Sequence, residues 1–342
     1  MKIAVLGGGH GAYAAAADLA EQGHEVRHWR RNAAALSPVI TLLDEKGSRA
    51  VNVSISSSIQ ETLKKAELIL IPGPATAQMD IARAMAPHVS DGQVVFLPPG
   101  TFGSYAMAQV VKAKLLWAET GTLPWLARKR GPSEVAITIR AVRLPTGVYP
   151  FKEQDKAIAV IRKAFPSVEP CGNSLSGALM NAGPIIHPPL ILMNAGPLEA
   201  SNNYDIHSEG TQPAVRAVTD RLDHERIAVR EALGFRAPHY PLKDHYTSDR
   251  WMYGDAHKKL VESGDWREPV PLREHRYMTE DVVFGLAFLA SVARWARVPA
   301  PLAEGLLAIA GGILGKDLTQ GERTLRALGL ESLSREELFK RL

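Results

Sequence analysis

One cysteine, Cys171, stands in 342 residues. That scarcity excludes an internal disulfide framework and any cysteine-rich zinc site. Long blocks of like charge are missing too. The formal net charge is +4, and the densest basic run, "ARKRG" at 127–131, is short. It reads as a solvated loop, not as a track for nucleic acid. The longest apolar stretches are broken by Pro188, Pro189 and Asn194, or by Arg294 and Arg297, so none reads as a membrane span. The first residues, "MKIAVLG", already form a strand pattern, with no signal-peptide pattern ahead of them. The expectation is a cytoplasmic protein whose partners are small molecules, with no nucleic acid and no membrane; a homodimer stays open.

The chain is long for a single core, so two domains are expected. Its 46% hydrophobic and 22% charged content is that of an ordinary globular protein. Strand patterns recur at 2–6, 24–29, 51–56, 67–73, 93–100, 114–120 and 134–143. Helical patterns at 11–22, 58–66, 76–87 and 103–112 separate several of them. Alternation of this kind predicts a parallel sheet covered on both faces. A helix at 154–164 and a turn-rich stretch at 166–172 then mark a boundary, giving domains 1–170 and 171–342. Beyond it the period is helical. Gln212 and Pro213 open a helix that Gly234 stops, and 279–296 and 301–314 read as buried helices. The stretch 236–274, rich in Pro, His, Tyr and Trp, reads as long loops with short helices.

The segment "GGGHGA" at 7–12 follows the first strand and opens an alanine-rich helix. Gly7, Gly9 and Ala12 fit the G-x-G-x-x-G/A pattern: one glycine for the tight turn, one for close approach of a pyrophosphate, and a small residue for helix–strand packing. The helix N-terminus would then hold the phosphates. His10, Gly11 and Pro72 complete the expected cofactor contacts, and the first domain is read as an α/β Rossmann domain. What is missing here is an acid at the end of the second strand. Where such an acid would bind the ribose of NAD, the sequence has Arg30 and Arg31, whose guanidinium groups suit the 2′-phosphate of NADP. NADP is favoured over NAD.

A dinucleotide domain does not name a substrate. In the second half, "NAGPIIHPPLILMNAG" at 181–196 sets His187 alone in apolar surroundings. A lone histidine of this sort is more often a packed residue than a catalyst. A carboxylate at Glu280 or Asp281, beside it in the fold, would fix its tautomer and suit it to proton transfer near neutrality. His239 and His245 lack ligand spacing, and no metal site is expected. Trp251, Tyr253 and Trp266 either line an apolar pocket or simply pack.

Five segments together carry a resemblance: "VLGGGHGAYAAAADLAEQGHEV", "AETGTLPWLAR", "NAGPIIHPP", "EGTQPAVRAVTDRLDHERIAVREALG" and "RYMTEDVVFGLAFLASVARWARVPAP". In this order the chain resembles the octopine/nopaline (opine) dehydrogenase family. The resemblance implies an all-α second domain similar to those of 6-phosphogluconate and glycerol-3-phosphate dehydrogenases. It also implies NAD(P)H-dependent reductive condensation of an amino acid with a 2-oxo acid. On the matching motifs His187 would be the acid/base, Asp281 its orienting partner, and Arg276 the holder of a substrate carboxylate. Glu119, Thr120 and Arg128 match a substrate segment of the family. The family commonly has an asparagine four residues before the histidine; here Gly183 stands there, with Asn181 two residues earlier. Its "EDVP" is "EDVV", with Val283. Two other readings stay open. One is a ketone reductase of the ketopantoate reductase or glycerol-3-phosphate dehydrogenase kind, whose lysine has no counterpart between Lys163 and Lys243. The other is a non-catalytic NADP-binding sensor.

Overall fold

A computed structural model of the chain describes residues 1–255, 257–262 and 269–342, and Trp266 lies outside them. Contacts divide the described residues into two units, Met1–Ala178 with Leu342, and Leu179–Arg341.

The first unit contains strands β1 (Lys2–Leu6), β2 (Glu25–Trp29), β3 (Val39–Asp44), β4 (Gly47–Asn52), β5 (Ser54–Ser56) and β6 (Leu68–Leu70). They are followed by β7 (Val94–Leu97), β8 (Leu116–Thr120), β9 (Trp125–Gly131), β10 (Glu134–Arg140), β11 (Leu144–Tyr149) and β12 (Val168–Asn173). Its helices are α1 (His10–Glu21), α2 (Ile59–Leu63), α3 (Ala75–Met85), α4 (Gly103–Ala108), α5 (Gln154–Ile161) and α6 (Ser174–Ala178). Eight strands form the main sheet in the order β12-β11-β8-β7-β6-β1-β2-β5. Every neighbouring pair is parallel except β8 with β11.

β1 shows why both faces must be covered. Ile3 and Val5 enter one apolar cluster while Ala4 and Leu6 enter the other, as the two-residue period of a strand requires. Ala14 to Ala17 of α1 are fully buried, and their small side chains let the helix lie close on the sheet. Because β1 lies between β6 and β2, the winding direction reverses at its C-terminal end. That reversal is where open α/β sheets bind ligands.

Several parts of this unit differ from the sequence expectation, β3 and β11 among them as strands it did not include. "ARKRG" is not a loop: it lies in β9, which pairs antiparallel with β10 in a second sheet ordered β4-β3-β10-β9. Trp125 and Ala127 turn inward there, while the Lys129 ammonium sits 4.1 Å over the Tyr13 ring. The stretch 168–173 is likewise a strand, paired with β11, so the units divide after Ala178 and the expected boundary at 170 falls inside β12. Gly147 and Gly177 explain the attachment of α6: a Cβ on Gly177 would come 2.8 Å from the Gly147 nitrogen.

Carboxylates and arginines bind α1 to the second sheet. Asp18 accepts from Trp125 Nε1 at 2.8 Å and from Arg140 Nη2 at 2.7 Å, and Arg140 also reaches Asp44 at 2.7 Å. Arg49 bridges Asp44 and Glu21. Arg49 first, then Arg140, hold the Asp44 carboxyl well below the usual carboxylate range.

The second unit is helical, as expected. Its elements are α7 (Gly183–Met193), α8 (Ala195–Ala200), α9 (Pro213–Ala232), α10 (Lys243–Thr247), α11 (His257–Glu262), a π-helix (Tyr277–Leu286), α12 (Ala287–Trp295), α13 (Pro301–Leu314) and α14 (Arg335–Arg341). Glu225 of α9 accepts from the first-turn N–H groups of Leu302 and Ala303 at 2.8 and 2.9 Å, capping α13. Asp223 and Arg226, both buried, tie α9 to the irregular chain beyond it through Leu242 N and the His239 carbonyl. Trp251 packs there with its indole donating to the Tyr240 carbonyl, the packing alternative of the two readings. Among the described residues no helix is long and apolar enough to cross a membrane.

Candidate active site

The glycine turn is built for a close ligand. Gly7 has φ +142°, a conformation open to glycine, and its N–H donates to the Trp29 carbonyl at 2.8 Å. His28, fully buried on β2, lies with Nε2 2.8 Å from the Gly7 carbonyl and holds the turn from below. Gly9 is the N-cap of α1, without a side-chain cap, with no acid in the first turn and with open space where its Cβ would be. A Cβ on Gly11 would meet the Pro72 carbonyl at 2.9 Å, so Gly11 and Pro72 lie side by side. His10 Nδ1 accepts from the Lys129 N–H at 2.9 Å, which joins the turn to β9.

The two arginines after β2 part company. A Cβ on Gly8 would come 2.9 Å from both Cδ and Nε of Arg30, so the Arg30 side chain lies across the turn. Arg31 points away, 82% exposed, with Nη2 3.5 Å from Asp80. These features fit a dinucleotide: an uncapped helix end, glycines where a side chain would intrude, and one guanidinium alongside.

Glu119 and Thr120 are fully buried in the same unit. Glu119 accepts from the Phe102 N–H at 2.7 Å and takes a short hydrogen bond from the Ser104 hydroxyl. It thereby fixes a bend in which Thr101 and Phe102 hold φ of +54° and +60°. The Thr120 hydroxyl donates to the Pro145 carbonyl at 2.7 Å. Arg128, partly buried on β9, pairs in register with Ala136.

In the second unit the structure brings His187 and Asp281 together although 94 residues separate them. Nδ1 of His187 is 2.8 Å from Oδ2 of Asp281, and both side chains are largely buried. His187 lies in α7, where Pro188 and Pro189 remove the N–H groups that would bond back to Pro184 and Ile185. Asp281 lies in the π-helix, a rare geometry that concentrates at functional sites. Two glycines let these helices meet: a Cβ on Gly183 would overlap Asp281 Oδ1, and one on Gly285 would come 2.8 Å from Pro184 Cβ.

Asn181 accepts the Gly183 N–H at 3.0 Å and so shapes the start of α7. Arg276 stands just ahead of the π-helix, half exposed, with Nε 3.6 Å from the buried Glu280 carboxylate. Burial opposes its charge, but Glu280 and then Asp281 outweigh burial and raise its pKa. Tyr277 and His207 were not singled out in the sequence. The Tyr277 ring stacks on the His187 imidazole, centroids 3.7 Å apart and planes 11° from parallel, and its hydroxyl lies 2.6 Å from His207 Nε2. Among the described residues no group of three or more His, Cys, Asp or Glu could hold a metal ion.

Residues 170–314 match the family model described as the NAD/NADP octopine/nopaline dehydrogenase alpha-helical domain, which spans both α7 and the π-helix. Over that segment the chain is similar to the opine dehydrogenase family. Residues 2–115 match the model of the NAD-dependent glycerol-3-phosphate dehydrogenase N-terminus, a second description of the dinucleotide unit. An opine dehydrogenase of Arthrobacter sp. (strain 1C) is 27% identical over 349 residues, covering 97% of this chain and 96% of that protein. The structure of octopine dehydrogenase with NADH and agmatine superposes with a TM-score of 0.74 at 18% identity, covering 99% of this chain and 98% of the other. Yersinopine dehydrogenase with bound NADP+ superposes with a TM-score of 0.64 at 15% identity, covering 100% and 98%. The expected fold class, an α/β Rossmann domain followed by an all-α domain, is the one found.

Proposed function

We propose that this chain is an opine dehydrogenase, joining an amino acid, or a simpler amine, to a 2-oxo acid by NAD(P)H-dependent reductive condensation and running the reverse reaction. The observation that carries the reading is the 2.8 Å contact between His187 Nδ1 and Asp281 Oδ2, inside the helical domain the family model matches. Held through Nδ1, the imidazole presents Nε2 as its proton-carrying atom, and Asp281 stabilises the charge when Nε2 is protonated. Condensation needs such a group: the amine adds to the oxo carbon, and Nε2–H protonates the departing hydroxyl so that water leaves and an imine remains. The bound cofactor supplies hydride to the imine carbon.

Arg276 offers its guanidinium to a substrate carboxylate, with the Glu280 carboxylate beside it. Asn181 shapes the start of α7. Glu119 and Thr120 order the 100–104 bend and β8, with Arg128 as a further contact for substrate. Gly7, Gly9, His10, Gly11, Ala12 and Pro72 form the turn that would hold the pyrophosphate, and Arg30 is the residue that would favour NADP through its 2′-phosphate, Arg31 adding charge. A cytoplasmic location goes with this reading.

The test follows NADPH and NADH absorbance separately with purified protein, a pool of amino acids, and pyruvate or other 2-oxo acids. Oxidation that requires both amine and oxo acid is the expected result. Oxidation with the oxo acid alone would make the protein a ketone reductase, and cofactor binding without consumption would favour a sensor.

A further inference from the structure

We infer that Tyr277 and His207 are positioning residues for His187: Tyr277 clamps the face of the imidazole, and His207 locks Tyr277. The inference rests on the reading of His187 as proton carrier. The bond from Nδ1 to Asp281 holds one edge of the ring but tolerates some tilt of its plane, because a hydrogen bond accepts a range of angles. A parallel ring at 3.7 Å removes that freedom and sets the direction in which Nε2 points.

The clamp is itself held from several sides. The Tyr277 hydroxyl is 2.6 Å from His207 Nε2, and its N–H lies 3.3 Å from His275 Nδ1. The His275 ring meets it edge-on at 4.4 Å, and that of His207 at 5.8 Å. Tyr277 is buried and begins the π-helix that carries Asp281, so the face clamp and the edge clamp of His187 belong to one element. A tyrosine needed only for bulk would not require its hydroxyl to be fixed; here the bond to His207 sets the tilt of the ring.

The test compares Tyr277→Leu, Tyr277→Phe, His207→Ala and the His207→Ala/Tyr277→Phe double variant. Tyr277→Leu should lower kcat about tenfold or more with the KM for NADPH unchanged. Tyr277→Phe keeps the stack and should lose only a few-fold in kcat; His207→Ala should match it. The double variant should be no worse than either single one, because both remove the same bond.

A readout independent of turnover comes from the Cε1 proton of His187, assigned by its loss in His187→Gln. Ring current from a stacked Tyr277 places it upfield; it should move downfield in Tyr277→Leu and stay in Tyr277→Phe. An unmoved resonance, or an unchanged kcat in Tyr277→Leu, overturns the clamp. If Tyr277→Leu does not fold, full kcat in both Tyr277→Phe and His207→Ala overturns it instead. Turnover that survives His187→Gln overturns the underlying reading of His187, a failure visible in that variant alone.

Discussion

Asp281 occupies the space that a side chain on Gly183 would take: a Cβ there would overlap Oδ1 and lie 3.2 Å from Cγ. Asp281 is buried and bonded to His187, so it cannot give way without dragging the imidazole with it. Gly183→Ala should therefore lower kcat on the order of tenfold to a hundredfold while cofactor affinity holds. Steady-state kinetics beside a fluorescence titration with NADPH check this, and an unaltered kcat would show that Asp281 has room to move.

His187→Ala should cost about 10² to 10⁴ in kcat, the range expected for a positioned acid or base. NADPH binding should survive, since His187 and the glycine turn belong to different units. Asp281→Asn should lower kcat less than His187→Ala does, because the imidazole remains but its charge loses support.

The arginines should separate in their effects. Arg30→Ala should weaken NADPH about tenfold or more and leave NADH nearly as before, the size of one charge-assisted contact to phosphate. Arg31→Ala should change either affinity less than about threefold, because Arg31 is 82% exposed and points to Asp80. Isothermal titration with both nucleotides decides it; equal loss for both in Arg30→Ala would remove the 2′-phosphate role.

Acid sensitivity should come from His28. Burial first of all, with Arg30 and Lys129 adding, pushes its imidazole down from 6.5 to about 4, against the pull of the Gly7 carbonyl. The unfolded chain takes up a proton near pH 6.5 and the folded one does not until about pH 4, so stability falls as pH drops through that window. The slope approaches about 1.4 kcal/mol per pH unit, or about 3 kcal/mol in all. Denaturant melts between pH 7 and 4 should show a shallower decline for His28→Gln than for the parent; parallel declines would refute the assignment.

β1, α1 and the turn between them are legible because two periods and a glycine cluster coincide within about twenty residues. The second sheet is not. β9 carries Arg128, Lys129 and Arg130 in succession, and the inward alternation of Trp125 and Ala127 disappears beneath that charge. β12 contains Pro170, Cys171 and Gly172, which read as a turn until the pairing with β11 is seen. His187 and Asp281 are far apart in the chain, so the residues alone left Glu280 and Asp281 as alternative partners, and the family resemblance chose between them. Tyr277 has no periodic signal at all, since a π-helix breaks the spacing by which helix faces are recognised.

The two ends of α1 are treated oppositely. Asp18 and Glu21, near its C-terminal end, are bound to Arg140 and Arg49, whereas its first turn has neither a capping side chain nor an acid. A serine or aspartate at position 9 would repair that turn in the free protein and compete with the very anion the turn is shaped to receive. The unliganded molecule is thus frustrated at one spot, and nucleotide relieves it. Melting temperature then becomes a direct gauge of occupancy, rising with ligand concentration by mass action and distinguishing one dinucleotide from another before any substrate is known.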